Sequence, residues 1–511
     1  MISLSLFPDL KLMSFKYRLS ARFVFFLTGL LSLLVPALSD AQSVGIRKIE
    51  AAEMLKTVTY LASPELGGRR PGSDGYYLAA DYMSNAFFDL GLKDITGDFY
   101  FQRLPVEYVE ISGEPALSLL TTRGETPLVL GEDFVCRGMT GFGEGEAGVV
   151  FCGYGISEPQ SGYDDYAGMD VKGKVVMVFK QNPPFMIEGV ELSQKYNRYR
   201  AQMAAKHGAI ALLLVSTPLS KDPQKPIGSI MDGEGEYLLY MPQFHIDLEA
   251  ADQLFEGSKY RLEEIQSRID SSHSPASLPL LHKVRFKVEG EYTADRPSMN
   301  IIGCLEGSDP QKKHEYVLIS AHLDHVGKQG SHLYFPGAND NASGSAAVLQ
   351  LARAFASLKN KPARSVLFVL YTSEEQGLTG SAHFANHCPV PVEQIVAALN
   401  MDCIAFGDSI QIGNGKSNPK LWNLAREIDS RHDKLSVSRT WGGGGADLEA
   451  LHKKGVPGLY FVTTNSYDHL HLPSDRPETL NKDLYESLVR LVYLVTEQLA
   501  NGSWQREKPA D

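Results

Sequence analysis

From residue 300 onward the chain alternates short apolar runs with segments of helical spacing, and this rhythm restricts the fold more than any other feature. The apolar runs lie at residues 316–321, 365–372, 395–400 and 458–462, and helical segments are expected at 342–358, 419–431, 447–454 and 482–499. In the first of these helices Val348, Leu351, Phe355 and Leu358 form one apolar face. Strands that are almost wholly apolar must be covered on both faces, and helices between them supply the cover. The expected fold is therefore α/β, with a mixed, mostly parallel sheet flanked by helices.

Polar groups that bind ligands in such sheets gather beyond the carboxyl ends of strands. His322 follows the run ending at Ala321, Glu374 and Glu375 follow Thr372, Asp402 follows Asn400, and His471 comes a short loop after Val462. Asp340 joins them from the loop Gly337-Ala338-Asn339-Asp340-Asn341, just before a helix. Zinc takes imidazole nitrogen and carboxylate oxygen, and a catalytic zinc keeps a position for water. Two histidines and three carboxylates are too many for one such ion. They suit two ions, each with one His and one terminal carboxylate, bridged by a shared Asp. Paired ions acidify a water and polarise a carbonyl. Glu374, not needed as a ligand, is free to act as general base. Asp324, two residues past His322, is placed to orient its imidazole.

The segments Ala321-His322-Leu323-Asp324-His325, Gly337-Ala338-Asn339-Asp340-Asn341, Ser373-Glu374-Glu375-Gln376-Gly377, Asn400-Met401-Asp402 and His471-Leu472-Pro473-Ser474-Asp475 resemble, in order, the motifs of the co-catalytic di-zinc aminopeptidase family. That family takes in bacterial leucyl aminopeptidases and, further off, glutamate carboxypeptidases. The resemblance implies two zinc ions per chain: His322 and Asp402 on one, Glu375 and His471 on the other, Asp340 between them. It further implies Glu374 as general base, Asp324 as the orienting carboxylate, and a cis peptide bond after Asp340. The activity it implies is hydrolysis of N-terminal peptide bonds by a metal-bound hydroxide. The rival readings are a carboxypeptidase of the same architecture, a glutaminyl cyclase-like enzyme and a non-catalytic peptide-binding protein.

The resemblance reaches the rest of the chain. Gly67-Gly68-Arg69-Arg70-Pro71-Gly72 and its following helix are similar to the N-terminal segment of secreted members. The stretch from Tyr163 to Lys174 is similar to a protease-associated domain, which accords with the short β-rich segments and single helix expected in 136–290. The organisation expected is a signal peptide at 1–41, a peptidase domain built from 42–135 and 291–505, and an insert at 136–290 closed by a linker at Thr293 to Pro297. Two departures stand out. Leu470 occupies the place where many members carry Tyr, leaving Tyr467, His469 or a residue elsewhere as oxyanion donor. The loop Trp441 to Asp447 replaces a Ser-Asp-His triplet, and only Asp447 fits.

Single residues also have plainer readings. Asp340 can cap its helix while serving as a ligand. His325, His332 and His469 are expected at the surface or satisfied in the core, not on a metal, and Cys403 is expected as a buried thiol turned away from Asp402. The five cysteines are too few and odd in number for a disulfide framework; whether Cys136 and Cys152 pair is a question of geometry. Lys16, Arg18 and Arg22 precede an apolar run at 23–38 and the small-residue site Ser39-Asp40-Ala41, the order of an export signal too short to span a membrane. Export to the periplasm or medium follows, with no stable membrane insertion after cleavage. A net charge of −12 without long basic runs argues against nucleic acid; peptides are the partner that the resemblance implies.

Overall fold

The computed structural model describes residues 45–231 and 233–510, so the expected signal segment lies outside the described residues. One of two eight-stranded sheets contains β1 (Lys93–Asp94), β2 (Phe101–Ile111), β3 (Gly290–Leu305), β4 (Tyr316–His322), β5 (Ser365–Tyr371), β6 (Ile395–Met401), β7 (Ile410–Gly413) and β8 (Gly458–Thr463). Their order is β1-β3-β5-β4-β6-β8-β7, with β2 also on β3. The central strands β5, β4, β6 and β8 are parallel; β3 and β7 flank them antiparallel.

Residues along each central strand alternate between two core layers. Val317 and Ile319 pack with the helices Ala51–Leu61, Asp74–Asp89, Gly344–Ala356 and Lys482–Asn501, while Leu318 faces Phe384 and Leu451 of the short helices opposite. Both faces are dry, which is why these strands carry almost no polar residue before their last positions. Among the described residues, no helix is long and apolar enough to cross a membrane.

The second sheet runs in the order Gly124–Pro127, Ala116–Thr121, Leu278–Val288, Gly143–Phe151, Val175–Phe179, Ala211–Val215, Gln243–Ile246, Phe134–Cys136. Three expectations need correction. The β-rich unit does not begin at 136, because Leu117 pairs with Phe286 and Cys136 with Phe244. Local alternation gives no sign of which distant strand an early strand will join. The expected linker at Thr293 to Pro297 is part of the continuous strand β3, whose ladder with β2 sets Pro297 opposite Pro105 and shifts register between Thr293 and Arg296. Proline, lacking an N–H, sits where the ladder is already irregular. The unit also holds three helices, not one: Asn197–Lys206, Leu248–Phe255 and Leu262–Ser272. The last two bury Ala250, Ala251, Leu254, Leu262, Ile265 and Ile269 at helical spacing, and Asp247 caps the first by accepting from Ala250 N at 2.7 Å.

All five cysteines are free thiols. Cys136 and Cys152 are both fully buried but lie in different core layers of the second sheet, so their side chains cannot meet.

Candidate metal centre

The chain runs from β4 through the helix Gly344–Ala356 to β5 on one side of β4, and then returns to β6 on its other side. A crevice opens where the direction of strand addition reverses. His322 is the last residue of β4, Glu374 and Glu375 follow β5, Asp402 follows β6, and His471 lies in the loop after β8. Asp340 enters from the loop that begins at the left-handed Gly337, and the Asp340–Asn341 peptide is cis.

The expected ligands converge. His322 Nε2 lies 3.3 Å from Asp340 Oδ1 and 3.3 Å from Asp402 Oδ1. His471 Nε2 lies 3.1 Å from Asp340 Oδ2 and 3.0 Å from Glu375 Oε1. Asp340 therefore turns one oxygen to each cluster. A tetrahedral ion with bonds of ~2.0–2.1 Å has ligand–ligand edges of about 3.3–3.4 Å, so the spacing fits zinc on both sides. All these groups are nearly buried, with Asp340 and Glu375 each 4% exposed.

His325 belongs with them, contrary to the sequence expectation. It is fully buried, and its Nδ1 lies 3.0 Å from Glu375 Oε1 and 3.7 Å from Asp340 Oδ2. Its place, three residues past His322 at the turn out of β4, was the available signal. Cys403 is a buried thiol, as expected, but it is not turned away from Asp402: burial first, then Asp340 and Asp402, hold it well above the usual thiol range.

The electrostatics suit a cation. Burial opposes charge on His322 and His471, yet Asp402 and Asp340 around the first, and Glu375 and Asp340 around the second, hold both well above the usual histidine range. Burial would raise Glu375, but His471 and His325 bring it down to about 2. Glu374 has no such partner: burial lifts it well above the carboxylate range, His322 pulls it back, and Glu375 and Asp402 add to the rise. Carboxylates gathered in a dry site without a Lys or Arg in hydrogen-bonding contact are what divalent ions would neutralise.

Supporting residues hold the clusters. Asp324 is fully buried and was expected to orient His322; instead its two oxygens accept from the backbone N–H of Glu374 at 3.2 Å and Glu375 at 3.3 Å. His322 Nδ1 lies closer to the Asp324 main-chain oxygen, at 3.2 Å, than to its carboxylate at 3.7 Å. Asp475 accepts from Asn339 N and Asp340 N at 2.8 and 3.0 Å, tying the Asp340 loop to the His471 loop. Arg69 is fully buried and donates to the carbonyls of Leu61, Leu323, Pro336 and Gly337 behind the site.

Two contacts had no sequence signal. Tyr460 donates its hydroxyl to Asp402 Oδ2 at 2.9 Å. Gly228, of the β-rich unit, accepts from His471 Nδ1 at 3.0 Å and donates its N–H to His471 O at 3.0 Å. Of the residues expected to replace a tyrosine at Leu470, His469 bonds Ser474 Oγ at the surface, while Tyr467 lies beside Asp402 and Tyr460. Asp447 is fully buried, which raises it to about 7. Next to the centre a cleft of about 980 Å³ separates the two sheets' units, lined by Met139, Ile230, Met231, Gln376 and Leu378 among others.

Residues 300–496 match the model of peptidase family M28. Aminopeptidase YwaD of Bacillus subtilis (strain 168) is 27% identical over 230 residues, covering 42% of this chain and 47% of that protein. The chain thus spans about half the length of the curated relatives it matches. Among solved structures, the peptidase M28 precursor of Shewanella amazonensis SB2B superposes with a TM-score of 0.65 at 20% identity, over 93% of this chain and 99% of that one. The zinc aminopeptidase BSAP of Bacillus subtilis gives a TM-score of 0.59 at 19% identity, over 90% and 98% respectively. These similarities establish the fold.

Proposed function

We propose that this chain, whose residues 300–496 match the model of peptidase family M28, is an exported zinc-dependent aminopeptidase holding two ions. The observation that carries this reading is the pair of ligand clusters sharing Asp340, with the half-buried Glu374 beside them. His322, Asp340 and Asp402 would hold one ion, and Asp340, Glu375 and His471 the other. Bound there, the ions would supply acidification of water and polarisation of the scissile carbonyl.

The remaining chemistry falls to the chain's own residues. Glu374 takes the proton of the attacking water and passes it to the leaving amine. Asp324, bonded to the backbone of both glutamates, keeps Glu374 aimed at the reacting water while Glu375 stays in its cluster. The cleft lining carries Glu107, Glu234, Asp295 and Glu449 against one guanidinium, Arg198, which is paired with Glu107 at 2.9 Å. That balance suits a substrate's free amine better than its terminal carboxylate, and relatives named as aminopeptidases agree. The β-rich unit is the protease-associated module of this reading, and the basic flank and apolar run before residue 42 support export.

The test is metal content with turnover. Two zinc ions per chain are expected, with release of N-terminal residues from free-amine peptides and none from N-blocked ones. Glu374→Gln should abolish turnover while leaving metal content unchanged. Full turnover by that variant would remove Glu374 from the mechanism, and fewer than two ions would overturn the two-metal reading.

A further inference from the structure

We propose that His325 is a fourth protein ligand of the ion held by Asp340, Glu375 and His471, so that the two metal positions are unequal. The inference rests on the two-metal reading above. It starts from the convergence of two imidazoles on one pair of oxygens. His471 Nε2 lies 3.1 Å from Asp340 Oδ2 and 3.0 Å from Glu375 Oε1; His325 Nδ1 lies 3.7 and 3.0 Å from the same atoms. These separations bracket the tetrahedral edge of about 3.3–3.4 Å set by zinc bonds of ~2.0–2.1 Å. The rings approach at 76° with centroids 5.4 Å apart, an arrangement that points both nitrogens inward without stacking.

The ring of His325 is also fixed from behind. A Cβ added at Gly337 would lie 2.5–2.6 Å from its Cδ2 and Cγ, so the imidazole fills the space that glycine leaves. Its backbone N–H donates to Arg69 O at 3.2 Å, and Arg69 is itself locked by four carbonyls. A buried imidazole with no room to turn is preorganised for one job.

Four protein atoms complete a zinc tetrahedron and leave no position for water, as in structural zinc sites. The other cluster offers three, from His322, Asp340 and Asp402, and keeps a position open. An ion held by four protein atoms would be the more tightly retained one, and the position held by His322, Asp340 and Asp402 would be the one left accessible to water. This division of labour follows from one residue.

The alternative is that His325 only donates a hydrogen bond to Glu375. Two variants separate the roles in the metal-free full-length protein titrated with Co²⁺, whose visible absorption is stronger in four-coordinate than in higher-coordinate sites. The wild type should take up two equivalents, the first giving the intense four-coordinate spectrum. His325→Asn keeps an N–H donor near the Nδ1 position. It should bind the first equivalent more than about 100-fold more weakly, beyond the 10–100-fold typical of a lost supporting hydrogen bond, and lose that spectrum. His325→Cys should keep the tight ion and gain a thiolate-to-cobalt charge-transfer band in the near ultraviolet. Wild-type affinity and spectrum in His325→Asn, or no such band in His325→Cys, would overturn the proposal. A wild type that binds no second ion would instead defeat the two-metal reading itself.

Discussion

Replacing Gly228 by alanine should damage a metal site that lies in another part of the chain. The added Cβ would sit 2.7 Å from Val326 Cγ2 and 3.0 Å from two ring atoms of Phe335, all buried, so the loop must move. Overpacking of this kind costs about 1–3 kcal/mol. Movement also pulls the Gly228 carbonyl from His471 Nδ1 and its N–H from His471 O, both now at 3.0 Å. Loss of the bond that orients a metal-binding imidazole typically weakens metal affinity 10–100-fold, or about 1.4–2.7 kcal/mol at ~1.36 kcal/mol per tenfold. Zinc affinity measured by competition with a chromophoric chelator, beside denaturant unfolding of the metal-free protein, separates these two costs. Val326→Ala removes the nearer clash and should restore part of the affinity in the double variant. A Gly228→Ala protein with wild-type zinc affinity would refute the view that the β-rich unit positions His471.

Two further variants test the supports of the fold and site. Asp475→Ala strands two buried backbone N–H groups, those of Asn339 and Asp340, at about 1–3 kcal/mol each; urea unfolding of the metal-free protein should show a loss of roughly 2–6 kcal/mol, and a change within error would rule out this role. Asp165, fully buried in the second sheet's unit, accepts from Tyr154 N and Ile156 N at 3.0 Å each, and burial raises it to about 7 despite those bonds. Between the unfolded value near 3.9 and about 7, the folded state holds a proton that the unfolded state has released. Stability should therefore fall as pH rises through that window and level off above it, by an upper bound of roughly 4 kcal/mol from this group. Asp165→Asn stays neutral and should flatten that slope in denaturant midpoints measured from pH 4 to 8; parallel profiles for the two proteins would count against the assignment.

Much of the centre was legible because the physics that makes it is local. A buried parallel strand is almost wholly apolar, so the polar residues that follow Ala321, Thr372 and Asn400 had to lie at the sheet's carboxyl edge. His322, Glu375 and Asp402 were identified on that ground, and Asp340 by its place before a helix. Other features were legible only in part. His325 was expected at the surface or satisfied in the core, because nothing in spacing tells whether a residue three past His322 turns into the cluster or away from it. Asp324 was recognised as a supporting carboxylate, but its partners turned out to be two backbone N–H groups after β5 rather than the adjacent imidazole.

By itself the sequence determined the βα rhythm, the parallel centre of the sheet and the edge on which the ligands gather, since each follows from burying apolar runs and solvating their ends. Tertiary structure alone decided where the second sheet begins, that the stretch around Pro297 continues a strand, and that Gly228 and Tyr460 steady His471 and Asp402. Those outcomes depend on pairing between segments far apart in the chain, where many partners are compatible with the same local pattern. The meeting of His325, Glu375 and His471 is of the same kind: it arises only when β4, β5 and the loop after β8 bring them to one point.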